Sequence, residues 1–122
     1  MNRGTTTLAW LCGGLLASGT ALAANLTGDW HLSSSVNGNP VAIACTLVQK
    51  RHKLSGTCQP TGFEASTLNG TVDAKRAKWA YDVVFRGNPS HVNYEAELLA
   101  DGTLKGTMYL AGSPQAFTAT RK

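Results

Sequence analysis

The sequence predicts an all-β protein: an eight-stranded antiparallel up-and-down β-barrel. Three observations support this fold class. Apolar and polar residues alternate with a period of two over most of the chain, which is typical of half-buried strands. Turn-forming residues interrupt the alternation at intervals of roughly ten residues, and no segment has a convincing helical period. Because closure leaves no exposed strand edge, a barrel is favoured, and a two-sheet sandwich is the alternative.

The N-terminal residues have the features of a secretory signal peptide. Arg3 provides a basic start, residues 8–22 are mostly apolar, and Ala21-Leu22-Ala23 has the small-x-small pattern that signal peptidase recognises. The apolar stretch is short and contains Gly, Ser and Thr, so we do not expect an integral membrane protein. We predict a signal peptide over residues 1–23, cleavage after Ala23 and a periplasmic or extracellular location. The remaining residues, 24–122, form one domain.

The alternation and the turns together define the strands and their faces. We expect strands near residues 26–34, 40–49, 53–60, 65–73, 76–86, 90–99, 103–111 and 115–121. The inward positions are almost wholly apolar: Leu26, Trp30, Leu32, Val41, Ile43, Cys45, Leu47, Leu54, Cys58, Leu68, Val72, Trp79, Tyr81, Val83, Phe85, Val92, Tyr94, Ala96, Leu98, Leu104, Met108, Leu110, Phe117 and Ala119.

A short phrase with leucine and glycine on the same face recurs along the chain. It occurs at Leu26–Gly28, Leu54–Gly56, Leu68–Gly70 and Leu104–Gly106. An inward glycine lets a strand coil sharply and makes room for a bulky neighbour across the lumen. We therefore interpret the phrase as part of the barrel geometry.

Cys45 and Cys58 are predicted to form a cross-strand disulfide. An exported chain meets an oxidising compartment, and these two cysteines remain after removal of the signal peptide. A hairpin that turns at Arg51-His52 places Cys45 opposite Cys58 at a non-hydrogen-bonded pair. The Cα atoms of antiparallel strands are closest at such pairs, which brings the cysteines within disulfide reach.

The opening and the end of the mature chain resemble the calycins, which include lipocalins, fatty-acid-binding proteins and avidins. The resemblance rests on Gly28-Asp29-Trp30 in the first strand and Arg121 in the last, and the phrase from Leu26 to Trp30 is most similar to avidin-like barrels. It implies that Trp30 and Arg121 form the floor of the barrel, where a cation–π contact joins them.

A weaker resemblance links the chain to bacterial periplasmic inhibitors of secreted metalloproteases, which are small barrels with one disulfide. Their opening motif is similar to residues 26–30, and a Lys-Leu-small-Gly phrase before their second cysteine is similar to residues 53–58. This resemblance implies a protein-interaction module as an alternative function.

Composition and spacing argue against catalysis, metal binding and nucleic-acid binding. The formal net charge of the chain is +4, without the dense basic stripe of a nucleic-acid-binding protein. His31, His52 and His91 are scattered, and no pair has metal-ligand spacing. Glu95 and Glu97 lie on an outer face, where a solvated pair is expected. No nucleophile or cofactor motif occurs, so we predict a non-enzymatic protein without a cofactor.

We predict that the lumen binds a small hydrophobic molecule. The residues expected to contact it are Trp30, Trp79, Tyr81, Phe85, Tyr94, Ala96, Met108 and Phe117. Basic residues gather at one end of the barrel and form a candidate site for anionic surfaces: Lys50, Arg51, Lys53, Lys75 and Arg76. The alternatives are a protein-interaction module such as a protease inhibitor, or a structural envelope protein with a filled core.

Overall fold

The computed structural model describes residues 25–122, and these form a closed barrel of eight antiparallel strands. The strands are β1 Gly28–Val36, β2 Asn39–Lys50, β3 Lys53–Pro60, β4 Ser66–Asp73, β5 Arg76–Phe85, β6 Asn88–Leu98, β7 Leu104–Leu110 and β8 Ser113–Arg121. The predicted signal peptide lies outside the described residues.

The strand order confirms the up-and-down barrel and makes the two-sheet sandwich wrong. Each strand pairs with its neighbours along the chain, and β8 pairs with β1 to close the sheet. β1 starts two residues later than the alternation predicts, at Gly28 instead of position 26. Leu26 has left the sheet: its carbonyl accepts a hydrogen bond from the Trp30 indole nitrogen at 2.8 Å, and its buried side chain helps to close the barrel.

The connections alternate between the two ends of the barrel. One end, here called the mouth, carries the turns at residues 37–38, 61–65, 86–87 and 111–112. The other, here called the closed end, carries the turns at residues 51–52 and 74–75, the connection at residues 99–103 and both termini of the described chain. This alternation follows directly from the up-and-down topology.

Three of the mouth turns share one local design. Each has two residues with positive φ at its tip, as at Asn37 (52°) and Gly38 (82°), the conformation that matches the twist of a β-hairpin. Each is followed by Asn-Pro or Ser-Pro, and the prolines lie within strands β2, β6 and β8. Because proline cannot donate a backbone hydrogen bond, these protruding strand edges are protected against pairing with another chain.

The disulfide prediction is confirmed. Cys45 in β2 and Cys58 in β3 are direct partners in the ladder and form a disulfide, with their Cα atoms 4.0 Å apart. Both residues are buried on the inner face. The hairpin register that begins at the Lys50–Lys53 pair is therefore the one the cysteine positions predict.

The inner glycines have a more specific role than the sequence predicts. A Cβ atom at Gly70 would overlap the Lys78 carbonyl oxygen, and one at Gly106 would overlap the Glu95 carbonyl oxygen. These glycines therefore allow the backbone of the next strand to approach closely, and they do not leave empty space in the lumen.

The predicted inward residues whose burial the structure describes all lie in the core except Val41, Leu98 and Leu110, and Ala77 is a further core residue that the alternation does not predict. Ala77 stands between Arg76 and Lys78 in the sequence. A single small apolar residue between two cations does not identify an inward-facing position. Val41, Leu98 and Leu110 are only partly buried and pack against the edge of the core.

Candidate functional site

A cavity of about 490 Å³ opens at the mouth of the barrel. Three of the four mouth connections contribute to it, with Asn37 from the first, Phe63 from the second and Ala111 from the fourth, and Ser90 lies in β6 close to the third. Because adjacent hairpins contribute in turn around the rim, the cavity is centred on the barrel axis.

The walls of the cavity are apolar, and its polar groups lie mainly near the rim. The apolar lining residues are Val36, Val41, Ile43, Pro60, Phe63, Val83, Val92, Met108, Leu110 and Ala111. The polar ones are Asn37, Ser90, Ser113, Gln115 and, deeper in the barrel, Tyr81. No lining residue within the described chain carries a formal charge, so the walls favour an uncharged, mostly apolar occupant.

An aromatic cluster fills the barrel below the cavity. The rings of Trp79 and Tyr94 stack with their centroids 4.9 Å apart, and the ring of Phe117 meets Tyr94 edge-on at 5.1 Å. All three side chains are buried. Such contacts fix the rings against one another and leave the open space in the mouth half of the barrel.

Two tyrosine hydroxyls lie hydrogen-bonded at the base of the cavity. The oxygens of Tyr81 and Tyr94 are 2.6 Å apart, and both side chains are buried. Burial raises the pKa of Tyr81 to about 12, and the hydrogen bond with Tyr94 acts in the opposite direction. Burial raises the pKa of Tyr94 further, and both the neighbouring Tyr81 charge and the hydrogen bond to Tyr81 add to this rise. Both tyrosines are therefore neutral at ordinary pH.

The indole nitrogen of Trp79 is a second buried donor in this region. It has no hydrogen-bond partner among the residues that the structure describes. Indole N–H groups can only donate, and an unpaired buried donor carries a free-energy cost of about 1–3 kcal/mol. The aromatic cluster therefore contains an unused donor next to Tyr94.

On one side of the cavity, the hydrogen-bonded ladder between β4 and β5 is interrupted near the mouth. β4 and β5 pair only from Asn69–Ala80 down to Asp73–Arg76, although both strands extend further toward the mouth. Across the gap, the Ser66 hydroxyl donates to the Asp82 carbonyl oxygen at 2.8 Å. Phe63 lies here and lines both the cavity and a cleft on the outer surface. Its ring therefore separates the cavity from solvent on this side.

The structure places the predicted lumen residues at different depths in the barrel. Tyr81 and Met108 line the cavity. Trp79, Tyr94 and Phe117 form the aromatic cluster. Ala96 and Trp30 are buried nearer the closed end, where they pair with Gly106 and Arg121, respectively. Phe85 ends β5 at the mouth, with its backbone paired to Asn88.

The sequence analysis did not single out most of the lining residues as site residues. Val41, Ile43, Val83, Val92 and Leu110 were expected to face inward, but a list weighted toward aromatic side chains omitted them. Large inward rings fill space by packing on one another, whereas shorter aliphatic side chains leave space. Short aliphatic side chains at inward positions close to the mouth turns are the sequence feature that could have indicated the cavity.

The floor of the barrel lies at the closed end. The Arg121 guanidinium carbon lies 4.5 Å from the centroid of the Trp30 ring. Arg121 also donates hydrogen bonds to the Thr27 carbonyl at 3.0 Å and the Asn25 carbonyl at 2.6 Å. These contacts fasten the N-terminal segment across the barrel end.

The predicted basic residues are all exposed and lie at or beside the closed end. Lys50, Arg51 and Lys53 belong to one hairpin, and Lys75 and Arg76 belong to the next hairpin around the barrel. Arg76 stands opposite Glu97 in the register of β5 and β6, which offsets part of its charge. The exposed positive charge is therefore concentrated around the two turns at residues 51–52 and 74–75.

The three histidines lie apart from one another. His31, His52 and His91 are exposed on three different strands or turns, and His91 pairs with Asp82 at 2.8 Å on the outer surface. Within residues 25–122 there is no group of three or more His, Cys, Asp or Glu side chains arranged to hold a metal. Nor does this part of the chain contain a helix with the length and hydropathy to cross a membrane.

Comparison with known proteins identifies no relative: no family model, no curated protein and no solved structure matches this chain. The barrel itself, closed, antiparallel and eight-stranded, is compatible with a calycin-like fold.

Proposed function

We propose that this protein binds a small, neutral, largely apolar molecule in the mouth cavity, without chemically changing it. The observation that carries the proposal is the cavity of about 490 Å³, which has apolar walls and, among the described residues, no charged lining residue. Its volume lies within the range of small-molecule sites, roughly 300–1,000 Å³. The predicted signal peptide places this activity in the periplasm or outside the cell.

The electrostatics of the lining support a neutral ligand. A charge moved from water into this cavity would lose its hydration and gain no ion-pair partner. Apolar ligand surface would instead be removed from water, which stabilises the complex by about 25 cal/mol per Å² buried. Affinity therefore rises with the apolar area of the ligand until the cavity is full.

The resemblance to calycins supports a carrier more than a catalyst. The mouth loops carry only Glu64 and Arg86 as charged residues within the described chain, the Trp30–Arg121 pair closes the far end, and the deeper lumen is filled by aromatic rings. A ligand would therefore enter and leave by the same end, past the rim residues.

The test is titration with an apolar dye, N-phenyl-1-naphthylamine, whose fluorescence increases in apolar surroundings. Two adjacent residues provide a matched pair of variants: Val83 lines the cavity, and Val84 points outward with 65% of its surface exposed. Val83→Trp fills the cavity and should weaken dye binding at least about tenfold, while Val84→Trp adds the same ring outside and should not.

Circular dichroism and thermal unfolding check that both variants are folded. Absence of dye binding to the wild-type protein, or equal binding by both variants, would contradict the proposal.

A second candidate function is binding to an anionic surface through the closed end. The specific observation is that two neighbouring hairpins place exposed Lys50, Arg51, Lys53 and Lys75 at the same end of the barrel, away from the cavity. Clustered cations attract anionic headgroups or an acidic partner, and the attraction falls with salt. The two functions use opposite ends and are compatible.

A further inference from the structure

The base of the cavity offers a ligand one specific polar group, the hydroxyl of Tyr81. Among the described residues, Tyr81 is the only one that lines the cavity with a polar side-chain atom and is also fully within the core, at 4% exposure. The other polar lining residues are half-buried or exposed: Asn37, Ser90, Ser113 and Gln115. A ligand inserted into the cavity therefore presents its leading end to Tyr81.

We infer that the ligand carries a neutral hydrogen-bond acceptor, such as a ketone, ester or ether oxygen, at its buried end, and that Tyr81 donates a hydrogen bond to it. This inference rests on the proposed ligand-binding function and specifies the chemical class of the ligand.

The tyrosine pair has one more hydroxyl proton than its mutual hydrogen bond uses. Two hydroxyls 2.6 Å apart share one proton between their oxygens, so the second proton needs an acceptor elsewhere. Tyr94 lies below Tyr81, within the aromatic cluster, and does not line the cavity. When Tyr94 donates to Tyr81, the free proton belongs to the residue that faces the cavity.

The position of Tyr94 favours this direction of donation. Tyr94 does not line the cavity and has no hydrogen-bond partner other than Tyr81 within the described chain, so donation to Tyr81 is the arrangement that leaves no unpaired proton on the buried Tyr94 hydroxyl. Tyr81 has no other hydrogen-bond partner within the described chain. Its remaining proton is therefore directed to whatever occupies the cavity.

The surroundings select an acceptor that is neutral. A carboxylate would also accept this proton, but no lining residue within the described chain supplies a positive charge to balance it. The unpaired Trp79 indole is a second buried donor, but it belongs to the aromatic cluster and does not line the cavity. Because the Tyr81 oxygen already accepts from Tyr94, Tyr81 offers the ligand a proton, which disfavours a ligand whose buried end is itself a donor.

A matched pair of ligands tests the inference: benzophenone and diphenylmethane have the same two rings, joined by a carbonyl or by a methylene. Each displaces N-phenyl-1-naphthylamine from the wild-type protein, and benzophenone should bind about fivefold more tightly, the ratio that one neutral hydrogen bond provides. Diphenylacetate, which is anionic at neutral pH, should bind at least about tenfold more weakly than benzophenone.

Variants of the tyrosine pair assign the preference to Tyr81. In Tyr81→Phe the affinity ratio of benzophenone to diphenylmethane should fall to about one, whereas in Tyr94→Phe the ratio should stay above one because Tyr81 keeps its hydroxyl. Should Tyr81→Phe fail to fold, Tyr81→Phe/Tyr94→Phe removes both hydroxyls and leaves no unpaired partner, and it should also give a ratio of about one.

The outcomes distinguish the two proposals. A ratio of about one in the wild-type protein, or a ratio that survives loss of the Tyr81 hydroxyl, overturns the acceptor inference while dye binding keeps the proposed function in place. Failure of the dye itself to bind overturns the proposed function, and the inference with it.

Discussion

Arg121, in the last strand, packs over Trp30, in the first, with its guanidinium carbon 4.5 Å from the ring centroid. The two residues are direct ladder partners across the closure of the barrel. The two amino groups of the same guanidinium bind the carbonyls of Thr27 and Asn25, so a single side chain joins the last strand, the first strand and the N-terminal segment. Gly28, which lies beside the guanidinium, has a φ of 141°, a backbone conformation that L side chains rarely adopt, so glycine suits this position.

Removing this side chain should destabilise the barrel. Arg121→Ala loses a cation–π contact and two hydrogen bonds, and we expect the free energy of unfolding to fall by about 1–2 kcal/mol. Lys122→Ala removes a neighbouring charge without these contacts and should change it by less than about 0.5 kcal/mol. Urea unfolding followed by tryptophan fluorescence measures both. Equal effects of the two substitutions would show that the Arg121 contacts do not stabilise the fold.

Removing the disulfide should destabilise the protein without changing its fold. Cys45 and Cys58 close a loop with a sequence separation of 13, for which the lost stabilisation is about 3 kcal/mol. Cys45→Ala/Cys58→Ala should therefore unfold at a lower urea concentration than the oxidised wild type. A reducing agent should shift the wild-type midpoint in the same direction and leave the variant unaffected. A variant midpoint equal to that of the oxidised wild type would contradict the prediction.

The tyrosine pair predicts loss of stability at high pH. The pKa of Tyr81 is raised from 10.0 to about 12 in the folded protein, so folding favours its protonated form. The stabilisation is complete below the unfolded pKa of 10.0 and is lost as pH rises through about 12. The free energy of unfolding should fall across this window, and it should fall less steeply in Tyr81→Phe/Tyr94→Phe. Urea titrations at several pH values measure this, and identical slopes for both proteins would refute it.

The closed end should govern any binding to anionic membranes. Lys50→Gln/Lys75→Gln lowers the charge of the exposed turns, and we expect binding to phosphatidylglycerol vesicles to weaken at least about tenfold at low salt. Asn39→Asp/Asn88→Asp changes the net charge by the same amount at the mouth and serves as the control. Vesicle sedimentation measures both. If the two variants lose binding equally, net charge and not the closed-end patch is responsible.

The local sequence pattern was sufficient to predict the fold class, because the alternation within a strand and the residue preferences of a turn each depend on only a few neighbouring residues. The Cys45–Cys58 pairing followed from a single hairpin, since the turn at Arg51-His52 fixes the register on both sides. The position of β1 was less accurate, because the hydrogen bond from Trp30 to the Leu26 carbonyl pulls that residue out of the sheet. Ala77 was missed because one small side chain between two cations carries little apolar signal.

The sequence by itself determined most of the residues that face inward, which cysteines pair and which end of the barrel is basic. Each of these depends on one strand or one hairpin and on the alternation within it. Only the tertiary structure decided where the lumen is open. Trp79, Tyr94 and Phe117 come from three strands, and their rings fill the lower barrel because they stack on one another. The tyrosine pair likewise depends on the geometry between β5 and β6 side chains, which packing fixes and the one-dimensional pattern does not.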